Sequence, residues 1–290
     1  MAPRLSLPLA VLTTSAVILA QTKPVVREKL GAVTGEFKIH SYDLNARDTQ
    51  RPIWSGGALV TFEKNGTANP VIHVFAENGL DSPTVFSIPR AESIQISQIA
   101  HAEDGAVALV GGTTDSQRHR AGFVSLIAPD RQSATTIRMS GYYRPVMVTV
   151  GVDGTIWTAG WESRDAAGYM KDPDAHVIRR FDRSGKMVGS FLPTRSLSPA
   201  TRESVMAGFG FMVSSSSKIG WMAHGGSYYE IPVNGGKIAE FPSVPLHGKG
   251  EALTGLAMTE NGRVYSSTSH FAGEDFPHGV YADPDSADPT

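Results

Sequence analysis

Apolar and polar residues alternate with a period of two through much of the chain, in short runs cut by Gly, Pro, Asn and Asp rather than in helical stripes. The segments VMVTVGVDGTIWTAG (146–160) and LTGLAMTENGRVYSSTS (253–269) share one plan. Each has an apolar strand, an Asp-Gly or Asn-Gly turn, and a second strand whose aromatic residue, Trp157 or Tyr265, follows the glycine by three positions. SQIAHAEDGAVALVGG (97–112) repeats the plan with small residues, and FGFMVSSSSKIGWMAH (209–224) replaces the turn by serines but keeps Trp221 in place. Asp-Gly and Asn-Gly are favoured where a tight hairpin needs positive φ, and period-two alternation marks half-buried strands.

After each copy comes a loop, a third strand, a turn and a fourth strand: FVSLIAPD with TTIRMS, HVIRRFDRSG with MVGSFLP, YYEIPVNGG with KIAEFP. An earlier unit fits less closely, with FKIHSYDL, GALVTFEKNG, VIHVFAENG and TVFSIP as its strands. Four antiparallel strands per unit predict an all-β fold of the β-propeller type, with blades at 37–90, 94–139, 145–192 and 205–242 and a fifth from 253. About five blades are visible. Either Phe37–Leu44 closes the ring as a clasp, or the blades belong to an incomplete six- or seven-bladed ring. A β-sandwich is the alternative, because short strands with regular turns suit it too. Trp157, Trp221 and Tyr265 recur at one repeat position and are expected to pack blade on blade.

The third unit, VTVGVDGTIWTAG with HVIRRFDRSGKMVGSFLP, resembles a blade of the NHL-like and streptogramin-lyase-like propellers. By pattern the resemblance runs over roughly residues 94–269. It implies a fold and no single activity, since such propellers include binding modules, scaffolds, lactonases and lyases.

The amino terminus changes the expected compartment. Arg4, an apolar run from Leu5 to Leu19, and Ala20 before polar Gln21 and Lys23 read as a secretory signal peptide cleaved after Ala20, giving a secreted or periplasmic protein. The apolar run is shorter than the roughly 20 residues that span a bilayer, so no transmembrane segment is expected in the mature chain. The division expected is 1–20 signal peptide, 21–36 linker, 37–281 propeller and 282–290 disordered tail, the last being acidic, Pro-containing and poor in apolar residues. With no cysteine, the fold rests on packing alone, and thiol catalysis and Cys-ligated metals are excluded. Lys and Arg number 26 against 28 Asp and Glu, so no general field draws the chain to nucleic acid.

If the blades align, the hairpins at Asp104, Asp153 and Asn261 and the turns at Pro129, Ser184 and Asn234 share one rim. The opposite rim collects loops of varied length at 112–121, 160–176, 223–229 and 269–279 and between blades at 140–145, 193–204 and 242–253. Varied loops on a rigid scaffold are where binding residues concentrate. The ligand-binding candidates are Arg144, Trp161, Glu162, Arg164, Arg202, His224 and His270. No cofactor, metal or catalytic residue is assigned. The nine histidines form no HxH or HExxH pair, and a metal would need His224, His270 and His278 to converge. Asp165, Asp172 and Asp174 lack the spacing of a calcium loop. Ser215 and Lys218 have S-x-x-K spacing on an expected strand turn rather than a helix. Asn65-Gly66-Thr67 is a glycosylation sequon better read as a hairpin turn. The function expected is an exported, non-catalytic propeller that binds a small molecule, glycan or protein through its variable-loop rim. The alternatives are a propeller-type hydrolase or lyase with a His/Glu or metal site at the channel mouth, and an extracellular assembly scaffold.

Overall fold

The computed structural model describes residues 53–76, 80–139, 143–162, 174–207, 210–223, 227–241 and 251–270. Blade one holds β1 (Ile53–Ser55), β2 (Ala58–Glu63), β3 (Val71–Phe75) and β4 (Thr84–Val85); blade two holds β5 (Ser93–His101), β6 (Val107–Thr114), β7 (Arg120–Ile127) and β8 (Ala134–Arg138). Blade three holds β9 (Tyr143–Val150), β10 (Ile156–Glu162), β11 (His176–Phe181) and β12 (Met187–Pro193). Blade four holds β13 (Gly210–Ser214), β14 (Lys218–Ala223), β15 (Tyr228–Pro232) and β16 (Ala239–Phe241). β17 (Glu251–Met258) and β18 (Val264–His270) form the antiparallel pair of a fifth. Every sheet runs in sequence order with antiparallel neighbours, and the first strands of successive blades pack side by side. This is the β-propeller expected from the repeat.

Three features depart from the sequence reading or lie beyond it. The strand expected at 37–44, the linker and the tail lie outside the described residues, and the first strand of blade one is Ile53–Ser55, turned into β2 at Gly56-Gly57. A helix, α1 (Pro199–Ala207), stands where an inter-blade loop was expected and takes up the first residues assigned to blade four. Ser198 starts it: its Oγ accepts from the Thr201 N–H at 3.1 Å, its carbonyl accepts from Arg202 at 3.0 Å, and Pro199 sits at the first helical position, where its missing N–H costs nothing.

The third feature is a repeated β-bulge. In the first ladder of blades two, three and five the register slips by one residue, leaving Ser97, Val146 and Thr254 unopposed, each four pairs from its hairpin. Opposite the slip stand Gly111 and Gly160, where an added Cβ would run into the backbone carbonyls of Gln95 and Arg144. The backbone approach therefore requires glycine at both places.

The hairpins themselves follow the sequence. Gly105, Gly154 and Gly262 have φ of 93°, 75° and 79°, closing three-residue loops in which the side chains of Asp104, Asp153 and Asn261 accept from the N–H two residues on, at 3.1, 3.0 and 3.2 Å.

Apolar clusters fill the spaces between neighbouring blades: Val60, Phe62, Ile72, Ile94, Leu109 and Phe123 between one and two; Val124, Tyr143, Val148, Ile156 and Phe181 between two and three; Trp157, Met212, Ile219, Trp221 and Tyr229 between three and four. Trp157 stacks on Phe191 with ring centroids 5.3 Å apart, and Trp221 on Tyr229 at 5.1 Å. Both tryptophans are fully buried, as the repeat position predicted. Inner strands are also tied side chain to backbone. Ser55 Oγ donates to the His101 carbonyl at 3.0 Å, Val148 N–H donates to Gln98 Oε1 at 2.6 Å, and Ser214 Oγ donates to the Val150 carbonyl at 2.8 Å.

Candidate functional site

Antiparallel order places first-to-second and third-to-fourth connections on one rim and the remaining loops on the other. On the turn rim, charged side chains tie blade to blade. Arg183 of blade three meets Asp104 of blade two at 2.5 Å. Arg180 meets Asp153 at 2.5 Å, donates to the Val233 carbonyl of blade four at 2.9 Å, and lies 5.0 Å over the Trp157 ring. Thr155 Oγ1 accepts from the Trp157 indole at 2.9 Å. Burial alone would raise the Asp153 pKa, but bonds from Thr155 and the Arg180 charge outweigh it and hold the carboxyl below its ordinary value. Asp104 is likewise held low: burial opposes, and the Ala106 N–H and Arg183 prevail.

The loop rim is arranged differently, most clearly at the top of blade three. Here the bulge decides which face each residue occupies. Glu162 pairs with Tyr143 and Trp161 with Arg144 across β9 and β10. On the face toward blade two, Tyr143 is buried and donates to the Val177 carbonyl at 2.9 Å, and Arg179 Cζ lies 3.6 Å from its ring centroid. Arg179 also reaches Glu162 at 3.7 Å. Burial pushes the Tyr143 phenol up to about 12, so it stays protonated and donating.

On the opposite face, toward blade four, Arg144 Cζ sits 6.0 Å from the ring centroid of half-buried Trp161. The Trp161 indole N–H is shielded from solvent and has no acceptor among the described residues. A buried N–H left this way costs about 1–3 kcal/mol. Arg202, also half-buried, rides on α1, which packs on β10 and β14. Among the described residues neither Arg144 nor Arg202 has an anionic partner.

The seven sequence candidates thus divide. Arg144 and Trp161 share one face, α1, which carries Arg202, packs on the same strand β10, and Glu162 stands on the other face with Arg179. Arg164 and His224 lie outside the described residues, as does His278; His270 ends β18 opposite Glu251, its side chain outside the description. Arg179 was not singled out from the sequence, because a mid-strand arginine in IRRF carries no sign of facing a rim.

Other motifs resolve into local structure. Ser215 Oγ accepts from the Lys218 N–H at 3.2 Å within a hairpin, while Lys218 Nζ donates to buried Glu230 at 2.8 Å. Asp174 accepts from Arg195 at 2.9 Å. Asn65 donates from Nδ2 to the Ile96 carbonyl at 3.1 Å and accepts from the Ile96 N–H at 2.7 Å, binding blade one to blade two, so its amide is already engaged. Among the described residues no helix is long and apolar enough to cross a membrane.

No protein-family model matches the chain, and no curated protein matches it by sequence. Solved structures resemble it at low identity. A protein of unknown function from Bacteroides caccae aligns with a TM-score of 0.43 and 9% identity over 78% of this chain and 73% of that one. The β-propeller domain of the Trilobed protease from Pyrococcus furiosus aligns at 0.42 and 11% over 80% and 82%. A prolyl endopeptidase aligns at 0.41 and 11% over 80% of this chain and 36% of its own. Strand order and blade packing within the chain itself define it as a β-propeller protein.

Proposed function

We propose that this chain is an exported β-propeller that binds a ligand, a small molecule, glycan or protein, through its loop rim, and that it does so without catalysis. The observation that carries the reading is the contrast between rims. On the turn rim Arg183 pairs with Asp104 of the preceding blade, and Arg180 joins Asp153 of its own blade to the Val233 carbonyl of blade four, while the loop rim holds Trp161 and two guanidinium groups, Arg144 and Arg202, with no anionic partner among the described residues. The NHL-like and streptogramin-lyase-like relationship belongs to the same reading, supported by the strand, Asp-Gly, aromatic-strand plan of blade three. Export is supported by Arg4, the apolar run and Ala20. A scaffold role has less support: Met187 and Val188 on the outermost strand of blade three are 52% and 48% exposed, but adjacent strand residues point to opposite faces and form no single patch.

The test screens the protein beginning at Gln21 against glycan and metabolite panels, beside Trp161→Ala on the loop rim and Arg183→Ala on the turn rim. Ligands weakened by the first and indifferent to the second support the reading. Ligands that follow Arg183 instead move the site to the other rim. Intact mass of protein recovered outside the cytoplasm should begin at Gln21.

A further inference from the structure

We propose that the blade-four side of the blade-three rim is a site for an oxyanion, a carboxylate or phosphate group on a small molecule, held by Arg144 and Arg202 with Trp161 between strand and helix. This rests on the loop-rim reading above and assigns it a ligand chemistry. Arg144 and Trp161 are a cross-strand pair on one sheet face, so their Cβ atoms stand about 4.5–5.5 Å apart. Trp161 packs into the same apolar cluster as Leu197 and Val205, which flank and belong to α1. Arg202 lies three residues, nearly one helical turn, before Val205, and so rises from the border of that buried stripe.

Among the described residues, charge on this corner is unbalanced. The carboxylate nearest in sequence, Glu162, faces away across the sheet, where Arg179 occupies it. Glu203 is exposed, about 100° round the helix from Arg202. A guanidinium fork matches an oxyanion in a two-bond geometry that a lysine cannot reproduce, and an indole N–H only donates. The two guanidinium groups only donate and have no anionic partner among the described residues, while the Trp161 indole N–H, shielded from solvent, has no acceptor among them and lends its ring as the wall between strand and helix. The other tryptophan with an unmatched N–H, Trp221, is fully buried and stacked on Tyr229, so the lone indole is not what marks the site. The marking feature is two half-buried arginines beside the Trp161 ring that have no anionic partner among the described residues.

The experiment is calorimetric titration of the mature protein with inorganic phosphate, citrate and neutral maltotriose at low salt. Phosphate or citrate should bind saturably, weaken as ionic strength rises, and lose at least tenfold in affinity in Arg144→Gln and in Arg202→Gln, with Arg183→Gln unchanged. Arg144→Lys, which keeps the charge and loses the fork, should fall between. Unchanged unfolding midpoints verify that the variants are folded. Anion binding indifferent to Arg144 and Arg202, or no anion binding, overturns the assignment. Maltotriose binding that depends on Trp161 but not on Arg144 overturns the anion and leaves the loop rim as the binding surface. Binding of any probe that follows Arg183 and ignores Arg144, Arg202 and Trp161 overturns both.

Discussion

Trp157 and Trp161 stand four residues apart on the same face of the same strand, yet they sit at opposite ends of the propeller and in opposite conditions. Trp157 near the turn rim is fully buried, stacked on Phe191, covered by Arg180 and bonded through its indole to Thr155. Trp161 at the loop rim is half-buried, its indole has no acceptor among the described residues, and Arg144 over its ring has no anionic partner among them. At Trp157 the turn rim is closed by contacts within and between blades, and at Trp161 the loop rim carries donors that no described residue accepts from. Unused capacity on a rigid frame is what a binding surface requires.

The sharpest way to break this comparison is to truncate each tryptophan. Trp157→Ala should cost about 3–5 kcal/mol of stability, since a fully packed aromatic leaves a cavity between blades three and four. Trp161→Ala should cost about 1–2 kcal/mol, because its ring is partly solvated and removal of the unmatched indole N–H offsets part of the lost packing. Denaturant unfolding of the two variants decides it. Equal losses would mean that Trp161 is a structural residue and the contrast between rims is false.

A second variant tests what sets the faces. Strict alternation from Val148 would put Arg144 on the blade-two face beside Arg179 and Glu162. The extra residue at Val146 turns it to the blade-four face instead. Gly160→Ala forces a Cβ against the Arg144 carbonyl and should cost about 1–3 kcal/mol. Gly154→Val, at φ 75° beneath the Arg183 guanidinium, should cost on the order of 1 kcal/mol or more. A neutral Gly160→Ala in thermal unfolding would show that the close approach, and with it the facing of Arg144, is wrong.

These positions also show what the sequence made legible. Asp-Gly and Asn-Gly announce their hairpins because the turn demands those residues, and Trp157 and Trp221 announce a core because they recur at one offset. The bulge was hidden. One extra residue disturbs alternation only locally, and its available sign, a glycine six residues past the turn glycine at 111 and 160, is broken by Thr268 in blade five. The helix α1 is too short for a periodic stripe, and only Ser198-Pro199 hinted at its start. Arg144, Trp161 and Glu162 were legible as rim residues because they stand at strand ends. That they occupy two faces was not legible, since it depends on the bulge.

The smallest effect expected is on acid stability, and it tests the turn rim alone. Asp104 and Asp153 have folded pKa values below their unfolded ones, so as pH falls the unfolded state takes up protons first. Their contribution is fully present above the unfolded carboxylate pKa near 4 and is lost as pH drops through the lower folded values. The Asp104–Arg183 pair is close to half exposed on both sides, so its worth is in the range of about 0–1 kcal/mol and shrinks further in salt. Asp182, held low by bonds from Ser184 and Lys186, titrates in the same direction and remains in any variant of the other two. The Asp104→Asn, Asp153→Asn double variant should therefore lose a little stability at pH 7 and show a shallower, though not flat, decline in urea midpoint below pH about 4. An acid slope identical to that of the parent would mean that Asp104 does not join blades two and three through Arg183 and that Asp153 does not hold Arg180 in place.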